Sequence, residues 1–248
     1  MTWADKNATI RIVFNKRKKE GEIKYSNIYP AKFIARPNRF IAEIEIDGEE
    51  ALCHVKNTGR CRELLLPGAD IYVQKADNKL RKTKYDLISV YKGKRLINID
   101  SQIPNAVFHE WAADGNFLPD IQRIKPECQY KNSRFDFYME TEKEKLFAEV
   151  KGVTLEKDGA VFFPDAPTER GIKHILELCD CMENGYAAYL IFIVQMQGVR
   201  YFAPNRQTHP AFAGALCAAA QKGLHILAVD CCVTENEITA DKAVQIWL

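Results

Sequence analysis

Two short apolar runs, RFDFYME at residues 134–140 and LFAEVK at residues 146–151, decide the fold class of this chain. The charged residues 141–145 separate them, which predicts a β-hairpin with its turn in that segment. Side chains alternate between the two faces of a strand. A symmetric hairpin therefore places the carboxylate of Asp136 opposite that of Glu149.

These facing carboxylates repel each other unless a cation lies between them. Lys151 follows Glu149 on the same face, and the spacing places Phe135, Phe137 and Met139 together on the face opposite Asp136. Aspartate on one strand and Glu-x-Lys on the next is the core pattern of PD-(D/E)XK nuclease sites. A solvated hairpin face without a metal is the open alternative.

A helix is predicted to begin near Thr168, with either Thr168 or Asp165 as its cap, and to end at Gly185. Arg170, Lys173 and His174 fall on its solvent side close to the N-terminus, where anions are favoured. The cluster predicts a phosphate site beside the metal, with an ordinary solvated helix face as the alternative. Helical spacing predicts a buried stripe of Ile172, Ile175, Leu176, Cys179 and Met182.

Two further elements flank this region. Residues 105–114 predict a short helix whose Val107 and Trp111 face a core, whereas Glu110 projects from another side. Glu110 is therefore either a further metal ligand or a surface glutamate. Residues 186–196 are rich in Leu, Ile and Val and predict a strand buried on both faces.

The N-terminal half contains about five short strand patterns and no long helix, which predicts a small OB-like barrel. Residues 1–104 contain 21 Lys and Arg against 13 Asp and Glu, whereas residues 105–248 contain 14 against 20. This asymmetry predicts a basic nucleic-acid-binding domain, 1–104, and an acidic domain, 105–248. Solvated turns are the alternative for the basic loops. The candidate phosphate contacts there are Asn57, Thr58, Arg60, Lys79, Arg81, Lys82 and Lys84, and residues 16–19 extend the charge.

The cysteines and the apolar stretches limit the other function classes. None of the eight cysteines has the spacing of a structural zinc site, so reduced thiols are expected. The apolar run at residues 187–194 is too short to cross a bilayer, and residues 1–5 do not resemble a signal peptide. We therefore expect a cytoplasmic protein with no membrane partner.

Several motifs, in the same order along the chain, resemble those of the sugar fermentation stimulation protein A (SfsA) family. The match covers about residues 24–248, and residues 1–23 have no assigned role. The chain departs from the family at Gly152, where asparagine is usual, and at Val55-Lys56, where Cys-Pro is usual. The motifs are RF (39–40), NTGR (57–60), PG (67–68), PN (104–105), SRFDF (133–137), EVKxVT (149–154) and FPDAxTxRGxKH (163–174).

The resemblance implies an α/β (α+β) protein with an N-terminal OB-like β-barrel followed by a PD-(D/E)XK nuclease-like α/β domain. It also implies DNA binding that is largely independent of sequence, to single or double strands, and RNA stays open as a partner. In such a site, Asp136, Glu149 and the backbone carbonyl of Val150 hold Mg²⁺ or Mn²⁺, which prefer oxygen ligands. Glu110 is a candidate fourth ligand.

Two functions of different classes follow from these residues. The first is a metal-dependent nuclease in which Lys151 orients the attacking water and Arg170 and Lys173 anchor the phosphate. His174 would then donate a proton to the leaving oxygen. The second is a non-catalytic DNA-binding regulator of sugar (maltose) metabolism with a vestigial nuclease fold, which the family name suggests. No motif supports a small-molecule sugar enzyme.

Overall fold

The structure, a computed structural model, describes residues 23–57, 59–78 and 80–248. Six strands form the first sheet, and they pair in the order β3-β2-β1-β4-β5-β6. An additional pairing of β3 with β5 closes the first five strands into a barrel, as predicted. The strands are β1 (Ile28–Asn38), β2 (Ile41–Ile46), β3 (Glu49–Val55), β4 (Asp70–Lys75), β5 (Tyr85–Lys92) and β6 (Arg95–Asn98).

A mixed α/β domain follows the barrel. Its first elements are α1 (Pro104–Ala113), β7 (Ile121–Tyr130), β8 (Ser133–Thr141), β9 (Lys145–Val153), β10 (Leu155–Lys157), β11 (Ala160–Phe163) and α2 (Glu169–Glu183). Its last elements are β12 (Ala187–Val194), β13 (Tyr201–Pro204), α3 (Pro210–Gln221), β14 (His225–Val233), β15 (Ile238–Ala243) and β16 (Gln245–Ile246). The main sheet has the order β15-β14-β12-β9-β8-β7, and a smaller one has the order β10-β11-β13-β16.

The hairpin of β8 and β9 has the predicted register, because Phe137 pairs with Ala148 and Met139 with Leu146. The prediction for Phe135 was wrong. Its ring packs against the Phe147 ring at a centroid distance of 5.3 Å and belongs to a different core cluster from Phe137. The regular pairing with β9 stops at Phe137 and Ala148, and the Val150 N–H bonds to the Asp136 side chain, so the alternation assumed for a regular hairpin does not extend to Phe135.

The helices cover the two faces of the main sheet. On one face α1 packs its Phe108 ring against that of Phe137 at 5.3 Å. On the other face α2 buries Ile175 and Leu178 in the same cluster as Phe192 of β12, which is buried as predicted. The predicted stripe of α2 was wrong at Leu176, which is 60% exposed.

Buried polar groups join the barrel to the mixed α/β domain. The Gln195 side chain donates to the Asn98 side chain at 3.0 Å and to the Asp100 carbonyl at 2.9 Å. Glu156 of β10 accepts from Lys92 at 2.6 Å and lies 3.0 Å from Arg95. The site described below therefore belongs to a tightly packed unit. Among the described residues, no helix is long and apolar enough to span a membrane.

Candidate functional site

Asp136 lies where the pairing of β8 with β9 ends, and both of its oxygens accept hydrogen bonds. Oδ2 accepts the backbone N–H of Val150 at 2.8 Å, and Oδ1 accepts the side-chain amide of Asn105 at 2.9 Å. Beyond Phe137 and Ala148, β8 no longer pairs with β9 through its backbone. The Asp136 carboxylate there accepts the Val150 N–H in place of a backbone carbonyl. Asn105 lies in the first turn of α1, so this helix fixes the orientation of Asp136.

The backbone of Val150 faces the same place. A strand residue directs its N–H and its C=O toward the same neighbouring strand. Since the N–H of Val150 bonds to Asp136, the Val150 carbonyl lies along the same edge of β9. The Val150 carbonyl is therefore directed to the side of β9 on which Asp136 lies.

Glu149 is buried, and its two oxygens differ. Oε1 contacts the Lys151 ammonium and the His174 Nδ1, whereas Oε2 is buried without a hydrogen-bond partner among the described residues. Burial alone would raise the pKa of Glu149, but the hydrogen bond from His174 and the charge of Lys151 hold it below its usual value. Glu149 is thus an ionised carboxylate with one unused oxygen, which fits a cation.

The charges of the two carboxylates interact. Burial, followed by the charge of Glu149, raises the pKa of Asp136. The ionised form of Asp136 therefore weakens the folded state, and a cation between the two groups would relieve that cost. This oxygen donor set fits Mg²⁺ or Mn²⁺. Among the described residues, no three His, Cys, Asp or Glu side chains are grouped as a metal site, so Glu110 does not join the pair in such a group.

His174 is buried against Glu149, although the sequence placed it on the solvent side of α2. Its Nε2 lies 3.2 Å from the Nε–H of Arg170 and accepts from it, so Nδ1 carries the proton that points to Glu149. Lys173 does not contact Arg170, His174 or Glu149 in this way. Its side chain is 62% exposed and pairs with Glu177 at 3.5 Å. The structure thus joins Arg170 and His174 to the site and leaves Lys173 on the surface.

The start of α2 is fixed by close packing. Thr168 caps the helix as predicted, since its hydroxyl accepts the Gly171 N–H at 3.0 Å. A Cβ at position 171 would lie 2.8 Å from the Thr168 methyl and 3.2 Å from the ring of Phe212 on α3. Glycine at 171 therefore lets the helix that carries Arg170 and His174 pack closely against α3.

The loop at residues 57–60 reaches the same end of the molecule. The Asn57 side chain accepts the Gly59 N–H at 2.8 Å, and the Arg60 N–H donates to Asp165, just before α2, at 2.8 Å. Arg36, which sequence reasoning missed, donates to four backbone carbonyls of this region at 2.6–2.9 Å. Thr58 lies outside the described residues.

The basic cluster at residues 79–84 is not one surface. Lys82 and Lys84 are exposed, but Arg81 makes two bonds to the buried carboxylate of Asp86, at 2.6 and 3.1 Å. Arg81 therefore stabilises the barrel through Asp86, unlike the two exposed lysines beside it. Lys79 and residues 16–19 lie outside the described residues.

Arg81→Ala is expected to lower the free energy of unfolding by about 2 kcal/mol, because Asp86 would keep a buried charge with His54 as its remaining side-chain hydrogen-bond partner among the described residues. Lys82→Ala and Lys84→Ala are the matched controls and should change it by less than about 0.5 kcal/mol. Urea unfolding of the three variants measures the difference. Equal stability of all three would mean that the Arg81 ion pair contributes nothing.

Two family models match the chain in succession. The model described as the SfsA N-terminal OB domain matches residues 34–99, and the model described as the sugar fermentation stimulation protein RE domain matches residues 102–237. The chain belongs to the sugar fermentation stimulation protein family. The resemblance seen in the sequence is thereby confirmed, and so is the order of an OB barrel followed by a mixed α/β domain.

Relatives within the family cover nearly the whole chain. A sugar fermentation stimulation protein homolog from Clostridium beijerinckii is 58% identical over 226 residues, which are 91% of this chain and 100% of the relative. One from Ruminiclostridium cellulolyticum is 57% identical with the same two coverages. The structure of Pyrococcus furiosus SfsA in complex with Ca²⁺ superposes with a TM-score of 0.83 and 27% identity, covering 91% of this chain and 98% of that chain.

Proposed function

We propose that this protein is a metal-dependent phosphodiesterase that cleaves nucleic acid at a PD-(D/E)XK-type site. The unused buried oxygen of Glu149 beside Asp136 is the observation that carries the proposal. The Ca²⁺ in Pyrococcus furiosus SfsA supports a divalent cation in this family. In this proposal residues 1–104 bind DNA, and residues 105–248 carry the reaction.

The residues of the site have separate tasks. Asp136, Glu149 and the Val150 carbonyl would hold Mg²⁺ or Mn²⁺, which supplies charge to a phosphate oxygen and lowers the pKa of an attacking water. The Lys151 ammonium, fixed by Glu149, orients that water and offsets the negative charge that develops on the phosphate. The Arg170 guanidinium, steadied by its bond to His174, anchors a phosphate from the exposed start of α2.

His174 has a different task from the one expected from the sequence. Its Nδ1 proton already points to Glu149, and its Nε2 accepts from Arg170. Both ring nitrogens are therefore engaged, so donating a proton to a leaving oxygen would break one of these contacts. We assign His174 the positioning of Glu149.

The direct test incubates the protein with end-labelled single- and double-stranded DNA and with RNA, with Mg²⁺, Mn²⁺ or EDTA. Cleavage with either metal and none with EDTA is the expected result, and the substrate that is cut identifies the natural partner class. Binding without cleavage under all conditions would contradict the proposal. That outcome would favour the non-catalytic DNA-binding regulator.

Binding itself is expected to be electrostatic and largely independent of sequence. Each phosphate contact releases counterions, so contact with about six phosphates predicts a loss of about 10³-fold in affinity between 50 and 200 mM salt. Fluorescence anisotropy with several unrelated oligonucleotides measures both properties. A strong preference for one short sequence, or an affinity that does not respond to salt, would contradict this expectation.

A further inference from the structure

A cavity of about 470 Å³ on the barrel has no task in the proposed reaction. We call it the His54 cavity. None of its lining residues is apolar, so it does not suit a hydrophobic ligand. The lining residues are His54, Lys56, Arg81, Thr83, Asp86 and Gln102.

Two buried carboxylates hold the cationic side chains of the His54 cavity in place. The side chain of Asp86, 10% exposed, contacts both Arg81 and the Nδ1 of His54, the latter at 3.2 Å. The side chain of Asp100, 3% exposed, holds the Lys56 ammonium at 3.0 Å. His54 and Arg81 remain 35% and 31% exposed, so these donors are more accessible to a ligand than the carboxylate of Asp86.

Hydrogen-bonding capacity remains on these donors. The contact of His54 with Asp86 uses Nδ1, which leaves Nε2 for a ligand. Arg81 uses its terminal nitrogens on Asp86 and Thr83 but carries five N–H donors in total. The side chains of His54, Lys56 and Arg81 thus offer several hydrogen-bond donors to one cavity, and a phosphate group has several oxygens that can accept from them.

We propose that the His54 cavity binds a phosphate group carried by a nucleic-acid strand, which deepens the proposed function and rests on it. The His54 cavity and the site at Asp136 are connected by a short segment of the chain. Gln102 lines it, and Asn105, three residues later, bonds to Asp136. Three residues span at most about 11 Å, and a strand advances about 3.4 Å per nucleotide. A strand of a few nucleotides therefore reaches from one place to the other.

Gln102→Glu tests the cavity without removing any of its fixed contacts. The described hydrogen bond of Gln102 uses its backbone N–H, so the isosteric change adds one negative charge to the lining. Gln221→Glu, at the last residue of α3, is the charge-matched control away from the cavity. We expect Gln102→Glu to weaken oligonucleotide binding by about tenfold and to flatten the salt slope by about one. Gln221→Glu should bind like the wild type.

Oligonucleotides with a 5′-phosphate, a 3′-phosphate or neither identify the source of the group. An equal loss on all three indicates an internal phosphodiester, and a larger loss on one phosphorylated strand indicates that terminus; both support the proposal. In a second measurement, inorganic phosphate is added while the imidazole NMR signals of His54 are followed. A saturable shift that Gln102→Glu loses is expected.

The outcomes separate the cavity from the proposed function. If the wild type binds nucleic acid, Gln102→Glu binds equally well and phosphate leaves His54 unmoved, the cavity inference is overturned and the proposed function stands. If the wild type binds no nucleic acid, the proposed function is overturned. The proposal that the phosphate group belongs to a nucleic-acid strand is then overturned as well. The response of His54 to inorganic phosphate then decides whether the cavity takes a phosphate group at all.

Discussion

Asp136→Asn and Glu149→Gln are each expected to abolish Mg²⁺- or Mn²⁺-dependent cleavage, with a loss of about 10³-fold or more. Each change removes one anionic ligand from a pair of carboxylates that the fold places together. Lys151→Ala should lose cleavage to a similar extent, because it removes the ammonium proposed to orient the attacking water. All three variants should still bind nucleic acid, since the basic barrel is unchanged.

Thermal melts separate metal binding from the reaction itself. A ligand that binds only the folded state adds about 2.7 kcal/mol at a hundredfold excess over its Kd. For a chain of this size, 248 residues, that raises Tm by roughly 5–10 °C. The wild type and Lys151→Ala should show this response to Mn²⁺, and the two carboxylate variants should not. An equal response in all four proteins would mean that Asp136 and Glu149 are not the ligands.

Without metal, the two carboxylate variants should differ from each other. Burial and the charge of Glu149 raise the pKa of Asp136, so Asp136→Asn removes an unfavourable charge and should keep or slightly raise stability. If the side-chain amide of Asn105 rotates by about 180°, its oxygen can accept a hydrogen bond from the new amide at position 136. Glu149→Gln instead takes the anion away from Lys151 and His174 and should be destabilising. The two variants therefore differ because Glu149, unlike Asp136, has cationic and hydrogen-bonding partners that depend on its charge.

The sequence predicted the hairpin well because its pattern is local. An apolar residue at every second position and a charged turn specify the register, since a slip of one residue would move every side chain to the other face. The pairing of Phe137 with Ala148 follows directly from that rule. The closed barrel was also predictable, because short alternating strands without a helix have few other ways to bury their apolar face.

Contacts between distant segments were not predictable from periodicity. Helical spacing placed His174 in solvent and Leu176 in the core, but α2 is rotated so that His174 meets Glu149. The contact of Asn105 with Asp136 gave no signal in the periodicity, because it depends on where α1 begins relative to β8. Arg81 lies in a run of basic residues that suggested solvent, yet an acid on the neighbouring strand β5 removes it from that surface.

Arg36→Ala is expected to lower the free energy of unfolding by about 3 kcal/mol and to weaken nucleic-acid binding. Its guanidinium donates to the carbonyls of Arg39, Asn57, Gly59 and Arg60. Hydrogen bonds from a charged donor each contribute about 1.5–3 kcal/mol, and bonds to one group are not additive. Without them the loop at residues 57–60 loses its anchor on the barrel, and the polar groups proposed to meet phosphate lose their fixed positions.

Arg36→Lys distinguishes this geometric role from a purely electrostatic one. Lysine keeps the positive charge, but its single ammonium cannot reach four carbonyls that surround a planar fork. We therefore expect Arg36→Lys to recover less than half of the lost stability, and its oligonucleotide affinity to stay below that of the wild type. Urea unfolding and anisotropy at one fixed salt concentration measure the two quantities. Full recovery of both by lysine would show that Arg36 acts through its charge alone and that the loop holds its own shape.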